Sequence, residues 1–198
     1  DWNQREERFN WELVYCELYA GGKYENNSGG NYEYSLGLNG LGACATQYSS
    51  RWFDATIRRD GKVFDLHFER GENVGGLRSE ETKRKATGSL QHWLPDSDVF
   101  TDIKIPAEYF LDILRRQAVV NSGIEFTFDD EITDTHETFL YPEGIKGFVA
   151  ELDADKGLTP IISFAAEGEG RDREDKPAYK VKAEIAFCFN NEINLLDY

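Results

Sequence analysis

Three glycines, Gly37, Gly40 and Gly42, lie within six residues of one another. Small and helix-compatible residues follow, so the pattern predicts a glycine-rich turn that opens a helix. Glycines leave backbone N–H groups uncovered, and the amino end of a helix carries about half a positive charge. Such a turn favours an anion such as a triphosphate. A purely structural alternative stays open, in which the glycines only permit a tight turn.

Two established nucleotide motifs do not fit this turn. No Lys-Ser or Lys-Thr pair follows Gly42, so it is not a Walker A loop. No strong strand pattern precedes it, which argues against a dinucleotide-binding fold.

Lys23 precedes the Asn-, Gly- and Tyr-rich segment Glu25–Ser35 that leads to the glycine turn, and Tyr32 lies near the far end of that segment. Lys23 follows a Gly-Gly pair and can bring a point charge to a phosphate. Tyr32 can donate its hydroxyl to the same group. A solvated lysine and a packed loop aromatic are the structural alternatives.

Cysteine and histidine spacing predicts no metal site. Cys16, Cys44 and Cys188 are widely separated without a CxxC pair, which excludes a disulfide scaffold and a zinc ribbon and fits a reducing cytosol. The three histidines have no metal-ligand spacing.

Periodicity predicts the elements that position these residues. A helix is expected over Trp11–Tyr19 with Asn10 as its cap, and Asp60-Gly61 is a hairpin turn signal between two alternating strands. Another helix is expected after Pro106, and strict alternation makes Val181–Phe189 a strand. The other predictions are strands at 87–94, 124–128, 138–141 and 158–164, a helix at 144–152 and a charged loop at 71–86. The order predicts an α+β layered domain with a mostly antiparallel or mixed sheet and helices on one face.

The charge balance restricts the partners. The 198 residues carry 22 basic and 37 acidic side chains, a formal net charge of −15. A surface this acidic repels phosphate backbones, so no direct DNA contact is expected from this segment. No apolar run or leader pattern predicts a membrane span or export. Because methionine is absent, we expect a processed chain or a piece of a longer one.

Several motifs occur together in a characteristic order. They are Ala20-Gly21-Gly22-Lys23-Tyr24, Gly37-Leu38-Asn39-Gly40-Leu41-Gly42, Thr87-Gly88-Ser89, Trp93-x-Pro95-Asp96, Asn121-Ser122-Gly123 and Tyr141-x-x-Gly144-Ile145-Lys146. In this order they resemble the ATPase region of the B subunits of DNA gyrase and topoisomerase IV, which are type IIA topoisomerases. The resemblance runs from about Trp11 to Phe189.

The resemblance implies a divided fold. Residues 1–156 would be a partial ATP-binding domain of the GHKL group, and residues 157–198 the beginning of a transducer domain with a ribosomal-protein S5-like fold. In the parent enzyme, ATP with Mg²⁺ would close a homodimeric gate on DNA in the cytoplasm, and the partner protein would be an A-type subunit.

The resemblance also assigns the site residues. The nucleotide-binding residues would be Lys23, Tyr32, Gly37, Leu38, Asn39, Gly40, Leu41, Gly42 and Ser89. Lys23 and Tyr32 would belong to the lid, the glycine turn would hold the phosphates, and Ser89 would lie near the adenine through a water. Arg59 would stand at the rim of the aminocoumarin pocket.

No catalytic residue and no metal ligand are assigned. Three functional residues of the family would precede this sequence: the glutamate that acts as general base, the asparagine that binds magnesium and the aspartate that binds adenine. The lysine of the transducer domain that reaches the γ-phosphate would follow it. The isolated segment is therefore expected to bind ATP weakly without turnover.

Two departures indicate a divergent branch of the family. Asn39 stands where the family carries a histidine, and the segment between Lys23 and Gly37 is longer than usual. The family usually has threonine at the position of Ser89. Two other functions stay open, a non-catalytic structural or subunit-contact module and another GHKL ATPase of the chaperone or kinase type. The Trp93-x-Pro95-Asp96 motif argues against the last.

Overall fold

A computed structural model of the chain describes residues 1–20, 40–171, 173–174 and 178–191. The chain divides into two compact units, Asp1–Lys104 and Ile105–Tyr198. All strand pairs of the described residues are antiparallel, and the helices lie between groups of consecutive strands along the chain, in agreement with the predicted α+β class. The predicted domain boundary after residue 156 stays a prediction.

The first unit is built on one sheet. Its elements are β1 (Trp2–Asn3), β2 (Arg8–Phe9), α1 (Asn10–Cys16), α2 (Gly42–Tyr48), β3 (Ser50–Arg59), β4 (Lys62–Glu69), β5 (Glu72–Asn73), β6 (Arg78–Glu81) and β7 (Gly88–Pro95). Strand β3 pairs with β7 on one side and β4 on the other, and β5 and β6 both pair with the outer edge of β4.

The β3–β4 hairpin follows from its turn and its alternation. Asp60 and Gly61 both have positive φ, 52° and 72°, as a two-residue hairpin turn requires. Alternate residues then share one face, and this face carries the buried side chains Phe53, Leu66 and Phe68.

Helix α1 packs on that face and completes the core of the unit. Tyr15 lies 5.5 Å from Phe53 and 6.0 Å from Phe68, measured between ring centroids. Trp11 contacts Phe68 at 6.3 Å, and the Tyr15 hydroxyl accepts a hydrogen bond from Gln91 at 3.2 Å. All four tryptophans, at positions 2, 11, 52 and 93, belong to this unit.

Helix α1 differs from its prediction at both ends. Its N-cap residue is Phe9 rather than Asn10. The Glu12 carboxylate accepts the Phe9 N–H at 2.8 Å, so the helix start is stabilised without a hydrogen bond from the side chain of the cap residue. The helix ends at Cys16, where Glu17 turns extended with φ −122° and ψ 129°. Only Tyr15 in this helix is fully buried.

The charged loop predicted for residues 71–86 contains two short strands, β5 and β6. Both pair with β4 through backbone hydrogen bonds, which place no demand on side-chain hydrophobicity. All four residues of β6 are exposed, so no apolar alternation marks this strand in the sequence.

The second unit is an αββα arrangement followed by a long hairpin. Its elements are α3 (Ala107–Val120), β8 (Phe126–Asp130), β9 (Thr135–Phe139), α4 (Gly144–Asp153), β10 (Ile162–Gly170) and β11 (Tyr179–Phe187). Its core consists of Ala118, Val119, Tyr141 and Phe148. Strand β10 begins later than predicted, after Pro160, which has no N–H to donate to a ladder. Within the described ranges no helix has the length and apolarity needed to cross a membrane.

Candidate nucleotide-binding site

The described part of the glycine turn consists of Gly40, Leu41 and Gly42. Gly40 has a left-handed φ of 59°, which glycine adopts without strain. Leu41 caps α2, and its carbonyl accepts the Ala45 N–H at 2.8 Å. A Cβ atom built on Gly42 would meet no heavy atom of the described residues within 4 Å. The predicted glycine turn thus opens a helix, and open space adjoins its last glycine, as an approaching phosphate would need.

The other members of the predicted turn and lid lie outside the described residues. These are Lys23, Tyr32, Gly37, Leu38 and Asn39. Their assigned roles stay predictions.

The buried side of α2 carries a polar group that sequence reasoning missed. Gln47 is fully buried, and neither its Nε2 nor its Oε1 has a hydrogen-bond partner among the described residues. It follows Cys44 by three positions, so both lie on one helix face, and this spacing was the available signal. Buried amides in proteins are normally paired, so Gln47 is a candidate for contact with a water or a bound group.

The thiols beside this helix are held protonated. Burial raises the pKa of Cys44, which is 1% exposed. Burial also raises the pKa of Cys16, and repulsion from the thiolate that Cys44 would form at high pH adds to that effect. Burial raises the pKa of Tyr48, and repulsion from the thiolates that Cys16 and Cys44 would form at high pH raises it further. A protonated thiol is a poor nucleophile and a poor metal ligand, so these cysteines act as small apolar residues.

Ser89 and Arg59 lie at the hairpin end of the sheet. Ser89 pairs with Ile57 on β3 and is exposed, and Arg59 follows Ile57 by two residues, so all three share one face. The Arg59 guanidinium contacts the carboxylates of Asp1 at 2.9 Å and Asp60 at 3.1 Å. No hydrogen bond or ion pair of the described residues joins this end of the sheet to Gly40–Gly42.

The described acidic groups near α1 are already engaged. The Glu12 carboxylate accepts the Phe9 N–H, and Glu17 forms an ion pair with Arg8. No group of three or more His, Cys, Asp or Glu residues in the described ranges is arranged to hold a metal ion. The described part of the turn can therefore bind an anion through hydrogen bonds donated by its backbone N–H groups.

Comparison with known proteins finds homologues over most of the chain. No protein-family model matches the chain. The B subunit of DNA topoisomerase 4 from Escherichia coli is 36% identical over 168 residues, which is 81% of this chain and 26% of the relative. Its counterpart from Bacillus subtilis is 34% identical over 181 residues, 91% of this chain and again 26% of the relative.

The chain is homologous to the B subunits of topoisomerase IV and gyrase. The resemblance seen in the motifs is thereby confirmed. This B-subunit homologue spans about a quarter of the length of the curated relatives that it matches.

A solved structure supports the fold of the B-subunit homologue. The 43K ATPase domain of Thermus thermophilus gyrase B, crystallised with an aminocoumarin, superposes with a TM-score of 0.70 at 24% identity. The match covers 98% of this chain and 46% of that domain. The predicted α+β fold of the GHKL group is confirmed.

Proposed function

We propose that this chain contributes ATP-binding elements to a type IIA DNA topoisomerase that couples ATP binding and hydrolysis to DNA strand passage. The observation that carries the proposal is the 36% identity to a topoisomerase IV B subunit over 81% of the chain. The turn at Gly40–Gly42 is consistent with it, because its two glycines carry no side chain and uncovered amides at a helix start suit a phosphate.

The proposed contacts follow the resemblance. The amides of residues 37–42 hold the phosphates, and the Lys23 ammonium and the Tyr32 hydroxyl approach from the lid. Ser89 lies near the adenine through a water, and Arg59 stands at the pocket rim. Mg²⁺ enters with the nucleotide and is held by its phosphates, since the resemblance assigns no metal ligand to this sequence.

The proposal extends to organisation and partners. Residues 1–156 belong to the ATP-binding domain and residues 157–198 begin the transducer domain. The parent protein forms a homodimer, acts in the cytoplasm, and engages DNA and an A-type subunit. Direct DNA contact would then come mainly from other parts of the parent.

Calorimetric titration of the chain with a non-hydrolysable ATP analogue and Mg²⁺ tests the site. The experiment measures binding rather than hydrolysis, because the resemblance assigns the general base that hydrolysis needs to none of these residues. We expect saturable heat that Gly40→Val removes and Lys23→Ala weakens, while Lys104→Ala, an exposed cation outside the site, leaves it unchanged. No heat at millimolar analogue, or heat that survives Gly40→Val, would contradict the proposal and favour a non-catalytic module.

A further inference from the structure

Two segments that are distant in sequence meet at the hairpin end of the first sheet. The β3–β4 turn lies beside the connection between β6 and β7, because Thr82 N–H donates to the Gly61 carbonyl at 2.8 Å. The flanking residues are paired as well, Lys62 with Glu81 and Arg58 with Gly88. The structure therefore brings the charges of both segments to one surface.

This surface is locally basic in an acidic protein. Residues 58–62 and 80–87 together carry six cations and three carboxylates, whereas the whole chain has a net charge of −15. Asp60 is already paired with Arg59 at 3.1 Å. We define the basic patch as Lys62, Lys83, Arg84 and Lys85, which are exposed and form no ion pair with the described residues.

We propose that the basic patch binds the phosphate backbone of double-stranded DNA, an inference that rests on the proposed topoisomerase function. Three consecutive cations on an extended connection span about 10 Å. Duplex DNA presents one negative charge per about 1.7 Å of its axis, so this run can face several phosphates at once. Lysine and arginine are the side chains that make such contacts.

The composition of the connection favours duplex DNA over two other kinds of partner. Residues 82–87 contain Thr, Lys, Arg, Lys, Ala and Thr, without an aromatic side chain. Single-stranded nucleic acid is normally held by stacking on aromatics, which this segment does not provide. Protein interfaces depend on buried aromatic or apolar anchors, which are also missing from it.

Whole-chain repulsion does not cancel this local attraction. Charges separated by more than about 8 Å are largely screened at physiological ionic strength, so a bound phosphate senses mainly the patch. The sequence-based expectation of no DNA contact used the summed charge, which ignores how the fold distributes it.

Fluorescence anisotropy of a labelled duplex of about 20 base pairs, titrated with the chain across KCl concentrations, tests the inference. For three neutralised phosphates the slope of log K against log salt is about −2.7, so affinity falls about 40-fold between about 50 and 200 mM KCl. The triple variant Lys83→Gln, Arg84→Gln and Lys85→Gln should lose this slope and bind at least about tenfold more weakly at low salt.

A matched triple variant separates the patch from overall charge. Arg5→Gln, Lys104→Gln and Arg171→Gln remove the same charge from exposed positions elsewhere and should leave duplex binding near the unmodified value. Equal losses in both variants, no measurable duplex binding, or tighter binding of a labelled oligoglutamate would each overturn the inference. Calorimetric titration of the patch variant with the ATP analogue distinguishes the two proposals. The heat of analogue binding should be unchanged in this variant. Because duplex binding and nucleotide binding are measured separately, either proposal can fail without affecting the test of the other.

Discussion

The substitution Gly42→Ala tests whether the glycine turn is a cradle, that is, a backbone surface that binds a ligand, or only permits a tight turn. A methyl group at this position meets no heavy atom of the described residues within 4 Å, and Gly42 is not in the left-handed region. The described part of the protein therefore accommodates alanine without strain. With no described atom in its way, the methyl group would displace a ligand that approaches the backbone.

The stability change has a definite sign. Alanine in place of an unstrained glycine stabilises a fold by about 0.4–1 kcal/mol, chiefly because the unfolded chain loses freedom. One kcal/mol shifts the melting temperature of a unit of about 100 residues by about 4–8 °C, so Tm should rise by about 2–8 °C. The loss of one charge-assisted hydrogen bond to a bound phosphate reduces the binding free energy by about 1.5–3 kcal/mol, which corresponds to an affinity loss of about tenfold to a hundredfold.

Scanning calorimetry without ligand and titration with the ATP analogue measure the two effects on the same preparation. Gly40→Ala is the comparison, because its φ of 59° makes alanine strained by about 1–2 kcal/mol and should lower Tm. A Gly42→Ala protein that binds the analogue as well as the unmodified chain would refute the cradle. A lowered Tm for Gly42→Ala would refute the geometry from which the open space is inferred.

Three further predictions concern stability. Phe68→Ala should cost about 3–5 kcal/mol in urea unfolding because Phe68 is fully buried, whereas Phe64→Ala, a partly buried residue on the same strand and face, should cost about 1 kcal/mol; equal costs would contradict the assigned core. Asp54 bonds to His67 at 2.6 Å and raises its pKa, so the stability that this pair contributes is fully present below pH about 6.5 and is lost as pH rises through the raised pKa. In urea unfolding, the free energy of unfolding should differ less between pH 5.5 and pH 8 for Asp54→Asn than for the unmodified chain. If the difference is unchanged, the pH dependence comes from groups other than this pair. Gly71→Ala should lower Tm clearly, because φ is 90° and the new Cβ would lie 2.7 Å from an aromatic ring carbon; a Tm at the unmodified value would contradict that contact.

Local signals predicted the elements that are governed by local physics. The Asp60-Gly61 turn and the alternation on either side of it were enough to define the β3–β4 hairpin. The glycine spacing before residue 43 predicted the opening of α2 for the same reason, since a left-handed residue and a helix start depend on neighbouring residues.

Pairing between distant segments was beyond this reasoning. Strands β5 and β6 form because the edge of β4 is available, which no local pattern encodes. The basic patch likewise needs Lys62 and the 83–85 run to meet across the sheet. Buried Gln47 was missed because a single polar residue on a helix reads as solvent-facing until its neighbours are known.

The confinement of all four tryptophans to Asp1–Lys104 gives the protein a built-in optical label. Emission excited at the indole absorption band originates in that half of the chain only, while the half that begins at Ile105 contributes no indole signal. Intrinsic fluorescence can therefore follow ligand capture and melting of the sheet-bearing half without any engineered dye, and a transition seen by circular dichroism but silent in emission belongs to the other half.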